Sequence, residues 1–175
     1  MPQPKKYMKG EEFMEKVYWQ GERDLSNIRL EEFFDVGKYL GRYSHSDLEH
    51  GGYNNKFTEE NPLILNGSEL VGLTSSSLRW PYVQAEGAKF SRAWLGGAQF
   101  PNSNFRGATF GSAYLLGAHF RHSDLSGVSF RGANLSNADL SFAVFGYANE
   151  RDTDFSEANL SETNLVGVEG LDKVL

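Results

Sequence analysis

From Phe90 onward a large apolar residue returns at every fifth position: Phe90, Leu95, Phe100, Phe105, Phe110, Leu115, Phe120, Leu125, Phe130, Leu135, Leu140 and Phe145. The series misses once, at Glu150, and resumes with Phe155, Leu160 and Leu165. Two residues ahead of each centre stands a small residue, as at Ala88, Ala93, Ala98, Ser103, Ala108 and Ala113. A period of five suits neither regular element. On an α-helix five residues advance about 500°, so the apolar site would drift about 140° per repeat and cover no single face. On a straight strand an odd period sends successive apolar residues to opposite faces. Each pentad must therefore hold its own corner. The small residue and the Leu or Phe are two apart, which is the spacing of one strand face, so both point inward. The two residues after each centre make the corner, and pairs such as Gly96-Gly97, Ser126-Gly127 and Ser136-Asn137 suit a turn. Short strands separated by corners wind into a coil, and stacked coils pair like parallel strands at about 4.8 Å. No pentad can bury its own centre, so stacking makes the core.

Three stretches show the pattern most cleanly: Ala133-Asn134-Leu135-Ser136-Asn137, Ala138-Asp139-Leu140-Ser141 and Ala158-Asn159-Leu160-Ser161. They resemble the A(D/N)LXX consensus of the pentapeptide-repeat family, and the opening Gly21-Glu22-Arg23-Asp24-Leu25-Ser26 looks like the start of many cyanobacterial members. The resemblance implies an all-β solenoid, a right-handed quadrilateral β-helix with four pentads to a coil. Residues twenty apart would then form columns, such as Phe90-Phe110-Phe130 and Phe105-Leu125-Phe145-Leu165. It also implies an outward face running Trp94, Tyr114, Asn134, Asp154.

Ahead of the repeats, Glu11 to Gln20 reads as a short amphipathic α-helix. Phe13, Met14, Val17 and Tyr18 fall at helical spacing, acids lead, and Gly21 stops it. Such a helix is expected to cap the open end of the coil, because an exposed sheet edge invites association. Leu25 and Leu30 are in phase with the main series, but from Phe33 to Pro62 the phase breaks, with an excursion over about residues 42–61. Leu65 and Leu70 restore it. The expected organisation is a tail and capping helix over 1–20, degenerate coil over 21–62, and the β-helix over 63–175. Glu150 would place a carboxylate in an apolar column, a costly arrangement, so that corner is expected to bulge outward and the column below Phe130 to end there, with Gly170 in the coil beyond.

Catalytic chemistry finds little support. The four histidines do not converge by register on three or four metal ligands, and His119 stacks only beside Asp139. The nucleotide-binding and hydrolase motifs are absent from the sequence. A packed column offers no concave pocket, so neither enzymatic activity nor a cofactor is expected. What remains is surface. Trp94, Tyr114 and Leu116, and around a corner Phe142, Val144 and Tyr147, point outward by register and form the candidate protein-binding surface, since exposed aromatics build interface hot spots.

The chain has 175 residues and a formal net charge of −6, which argues against nonspecific nucleic-acid binding. The charge is uneven. Residues 86–138 hold five basic and two acidic residues, a net of +3, whereas 139–175 hold two basic and eight acidic, a net of −6. The chain has no cysteine, which fits any compartment, and with no apolar leader and no apolar run of membrane-spanning length a cytoplasmic location is expected. The expected partner is another protein, with a homodimer as one form of it. The reading is a non-enzymatic scaffold. The alternative, implied by the family resemblance, is a DNA mimic acting on a type II topoisomerase.

Overall fold

The computed structural model of the protein describes residues 4–40, 57–75, 78–146 and 152–170. Through most of the chain, parallel bridges join each outward residue to the one twenty positions on. They define four faces. Face A carries Ile64, Gln84, Asn104, Asp124 and Val144; face B carries Glu69, Lys89, Thr109 and Ser129. Face C carries Thr74, Trp94, Tyr114 and Asn134, and face D carries Arg79, Gln99, His119 and Asp139. The coil is thus four-sided with four pentads per turn.

The centres point inward as the period predicts. From Leu78 to Phe145 every Leu and Phe centre is fully buried. Phe90 stacks on Phe110 with ring centroids 4.9 Å apart and planes 6° apart, and Phe110 stacks on Phe130 at 5.4 Å and 17°. Rings from adjacent corners meet edge to face, as Phe105 does with Phe120 at 5.6 Å. Burying one such side chain contributes about 1.5–3 kcal/mol, so stability accumulates coil by coil.

The polar positions have equally local causes. The outward Asn or Asp of a pentad closes its own corner by accepting the N–H two residues on. Ser126 donates to Asp124 Oδ1 at 2.9 Å, Ser136 to Asn134 Oδ1 at 3.1 Å and Ser141 to Asp139 Oδ1 at 3.0 Å. The second corner residue is left-handed even where it is not glycine, with φ of +59° at Arg92, +56° at Asn102 and +55° at Ser112. A serine replaces alanine inside the coil where its hydroxyl finds a backbone carbonyl, as Ser123 does on Phe100 at 2.8 Å.

Past Phe145 the bridge spacing changes from 20 to 25. Ser129 pairs with Asp154, Asn134 with Asn159, Asp139 with Asn164 and Val144 with Glu169. This corrects four expectations. The column below Phe130 does not end: Phe155 stacks on it at 5.3 Å and 6°. Leu165 lies under Leu140 rather than Phe145, because Leu140 donates its N–H to Asn164 at 2.9 Å. Face C continues from Asn134 to Asn159, and Asp154 belongs to face B. The physical reason is the cost of a carboxylate in the column. Partners there stand five residues further apart in sequence, and the next Phe takes the place below Phe130. Glu150 itself lies outside the described residues. Thr153 secures the return: its buried hydroxyl is shared between the carbonyls of Phe145, at 2.6 Å, and Leu125, at 2.7 Å. Gly170 falls beneath Phe145, not beneath Phe130. At φ +77° its missing Cβ would sit 2.8 Å from the Gly146 carbonyl oxygen, so only glycine fits without movement.

At the other end the register departs as well. Asp24 pairs with Ile64 and Arg29 with Glu69, each forty residues on, but Asp35 pairs with Thr74, thirty-nine on. One extra residue near Phe33 thus precedes Val36, which is fully buried beside Ser75. Strand β1 (Lys6–Met8) pairs in parallel with β2 (Ile28–Leu30) and covers its outer edge. Sequence reading took these residues as tail, since KYM alone shows no periodicity. Helix α1 (Gly10–Met14) widens into a π-helical stretch, Glu15–Gln20, where a plain α-helix was expected; Gly21 ends it at φ +71°. Its Phe13 and Tyr18 meet Trp80: the rings of Phe13 and Trp80 are 6.0 Å apart, and Trp80 Nε1 donates to Tyr18 Oη at 2.8 Å. A second short helix, α2 (Val36–Leu40), follows. Of the expected excursion over 42–61, residues 42–56 lie outside the described ones.

Glu69 ties the first coils together. It accepts Lys5 Nζ at 3.1 Å and Lys89 Nζ at 3.0 Å, with Arg29 Nε at 3.7 Å. The hydrogen bonds from Lys89 and then Lys5 hold its carboxyl below the usual range.

Candidate interaction surface

Face C presents the aromatic pair. Trp94 and Tyr114 occupy equivalent positions on adjacent coils, and their backbones bridge directly. Their rings stack at 5.3 Å and 30°. The Tyr114 ring lies over Gly96, whose Cβ, if present, would fall 3.0 Å from Cε1. Glycine at that corner is what lets the ring lie close to the coil. Trp94 nevertheless remains 61% exposed, and Leu116, at the next corner, 38%. These three candidates lie near one another on face C and the corner after it.

Two further candidates lie elsewhere. Phe142 sits at the corner between faces D and A, 44% exposed. His122 stacks on its ring at 4.9 Å and 8°, Arg121 lies over it at 5.9 Å, and Gly167 leaves room beneath it. Val144 is half-buried on face A, half a coil from face C. Tyr147 lies outside the described residues. Among the five described candidates, Trp94, Tyr114 and Leu116 lie near one another, and Phe142 and Val144 lie on another side of the coil.

Sequence reading passed over one exposed aromatic residue. Phe33 is 57% exposed, and Arg92 lies over its ring at 5.5 Å. Its closest signal was the break in phase, which marks an irregular coil but gives no direction for the side chain. Electrostatics set face D apart. Asp139 sits 3.8 Å from Arg121 and 4.0 Å from His119. Burial pushes its carboxyl up, but hydrogen bonds from Ser141 and the charges of Arg121 and His119 outweigh this and hold it below its ordinary value. Among the described residues, no group of three His, Asp or Glu side chains is placed to hold a metal. No described helix is long and apolar enough to cross a membrane.

Two sequence profiles match the repeats. Pentapeptide repeats in eight copies match residues 113–146 and 133–169, and pentapeptide repeats in nine copies match 85–129. The chain belongs to the pentapeptide-repeat family. Its four-sided coil is the right-handed quadrilateral β-helix of pentapeptide-repeat proteins. No curated protein matches the chain. Solved structures do. A pentapeptide repeat protein from the Arabidopsis thaliana thylakoid lumen is 19% identical, over 65% of this chain and 67% of that one, with a TM-score of 0.33. A trypsin-treated variant of QnrB1, a plasmid-mediated fluoroquinolone resistance protein, is 26% identical over 66% of this chain and 59% of its own, with a TM-score of 0.34. HetL, a pentapeptide repeat protein involved in heterocyst differentiation regulation from the cyanobacterium Nostoc sp. strain PCC 7120, is 16% identical over 93% and 94%, with a TM-score of 0.23.

Proposed function

We propose that this pentapeptide-repeat protein is a non-catalytic scaffold that binds another protein through face C, with Trp94, Tyr114 and Leu116 at the centre of the contact. The carrying observation is the exposure of Trp94, an outward residue on a coil whose large centres are all buried. A ring stacked on its neighbour and left 61% open is an anchor already held in place, and anchors of this kind commonly contribute 2 kcal/mol or more to binding. The helix over residues 10–20 serves the scaffold by capping the column above Trp80, through Phe13 and Tyr18.

The DNA-mimic alternative asks for acidic charge along the length of the rod. Lys89, Arg92, Arg106 and Arg131 on the middle coils oppose it, and the acids concentrate past residue 139. The test is a pull-down from source cells with wild type and with Trp94→Ala/Tyr114→Ala. Both proteins should melt alike, since neither ring lies in the column, and the double variant should lose the partner. Equal capture by the two would reject face C. A double variant that melts much earlier would show the patch to be packing.

A further inference from the structure

Along the corner between faces B and C, below Val71-Gly72, stack Ser91-Arg92, Gly111-Ser112, Arg131-Gly132 and Ser156-Glu157. A groove of about 460 Å³ runs along it, lined in its upper part by Ser91, Arg92, Thr109, Gly111, Ser112 and Arg131. We propose that this groove binds a phosphate dianion between the Arg92 and Arg131 guanidinium groups.

The argument is geometric. Arg92 and Arg131 belong to coils two apart, so their backbones are separated by about 10 Å. Between them Gly111 carries no side chain, which opens a gap one coil deep. A tetrahedral oxyanion bridges two arginines across such a gap, and arginine's planar fork suits it better than a lysine would. Two sets of hydroxyl groups border the gap: Ser91 Oγ and Thr109 Oγ1 are 3.4 Å apart on the upper side, and Ser112 is exposed in the middle, while Ser129 below donates its hydroxyl to Asp154 Oδ2 at 3.4 Å. Arg92 meets Phe33 by a cation–π contact, which uses the face of the guanidinium and not its N–H donors. Arg131 is held by Glu157 at 3.0 Å, but both side chains are about two-thirds exposed, so that pair is weak and a doubly charged ligand displaces it.

Among the described residues, the other three corners lack this pairing. Between A and B, Arg106 is flanked along the column by Glu86 and Ser126. Between C and D stand Gly96-Gly97, Leu116-Gly117 and Ser136-Asn137, with no cation. Between D and A, Arg121 and His122 lie against Phe142. Lys89 of face B is engaged by Glu69. The inference stands apart from the docking face, because neither Trp94 nor Tyr114 lines the groove.

The experiment titrates inorganic phosphate, and separately a short peptide carrying one phosphoserine, into the full-length protein while following the backbone amides of Gly111, Ser112 and Gly132 by NMR. Saturable shifts with a dissociation constant on the order of 1 mM or tighter are expected. Arg92→Gln and Arg131→Gln should each weaken binding about ten-fold, as expected for loss of one charge-assisted fork. Glu157→Gln should tighten it about two-fold, by removing the competing carboxylate. Gly111→Leu should abolish it at an unchanged melting temperature. Gly111 is not in the left-handed region, and an added Cβ would meet only Arg131 O and Ser91 Oγ at 3.8 Å. Tighter binding of the phosphopeptide would identify a modified protein as the source of the ligand, and tighter binding of free phosphate a small anion; both sustain the site. Shifts that fail to saturate, that chloride reproduces at equal ionic strength, or that persist in the Arg92→Gln/Arg131→Gln double variant would overturn it.

Discussion

The coils between Arg79 and Phe145 stack at a constant spacing of twenty residues, whereas the coil formed by 152–170 stacks on them at twenty-five. Both regions use the same pentads, the same left-handed corners and the same Asx closures, as Ser156 and Ser161 show by donating to Asp154 and Asn159 at 2.9 and 3.0 Å. They differ in what lies above and below. In the middle, each centre is sandwiched and fully buried. In the last coil, Phe155, Leu160 and Leu165 are only partly buried against the core. The column therefore decides the register and the count along the chain follows. Phe155 reaches its place under Phe130 even though Glu150 had the claim by number, because an apolar ring gains there what a carboxylate would lose.

The largest effect should come from breaking the sandwiched region. Phe120 is fully buried, with Phe100 above it at 5.2 Å and Phe105, Phe110 and Phe130 at its edges. Phe120→Asp puts a charge among rings that offer it no partner, and a loss of several kcal/mol is expected, roughly 4 or more. Thermal unfolding followed by circular dichroism measures it. A wild-type melting curve would show the inward register to be wrong.

A smaller effect should come from the splice between the two regions. Thr153→Val keeps the shape and removes the hydroxyl that reaches the Phe145 and Leu125 carbonyls. Two buried acceptors lose a donor, for about 1–3 kcal/mol. Amide hydrogen exchange should show the loss at residues 152–170 before the middle coils. Equal loosening everywhere would mean that the splice is not a separate weak point.

The middle coils were legible in the sequence because each pentad repeats the same local statement. Leu, Phe, Ala and Asn/Asp fall where burial and corner closure want them, so the inward column and the exposed Trp94–Tyr114 pair follow from register alone. The edges were not legible for the same reason. A registry change leaves every later pentad in phase, since 25 and 20 are both multiples of five, and nothing in Phe155, Asn159 or Leu165 says which coil position it takes. The cost of Glu150 was readable, but whether the column ended or was bridged depended on Phe155 packing under Phe130. The one-residue change near Phe33 and the pairing of Lys6–Met8 with Ile28–Leu30 are contacts between distant segments, and no short period announces them. The groove between Arg92 and Arg131 needs two coils and a glycine gap to exist, so it appears only once the faces are assigned.

The smallest expected effect is the most discriminating. Deleting residues 147–151 removes five residues, the difference between the two spacings. The joined chain would read Phe145-Gly146-Asp152-Thr153-Asp154-Phe155, a centre followed by two corner residues, a small residue, an outward residue and the next centre. That is a regular pentad. The last coil should then stack at twenty with the same neighbours, Phe155 under Phe130 and Leu165 under Leu140, and the melting temperature should change by no more than about 2–4 °C, the shift that roughly 1 kcal/mol produces in a chain of this size. Deleting a pentad from the middle, residues 126–130, is the matched control. It also keeps the phase, but it moves every later face a quarter of a coil and takes Phe130 out of the ring stack, so it should be far more costly. If the two deletions prove equally harmful, residues 147–151 carry packing of their own, and the twenty-five-residue spacing is a built feature of the last coil, not a detour around Glu150.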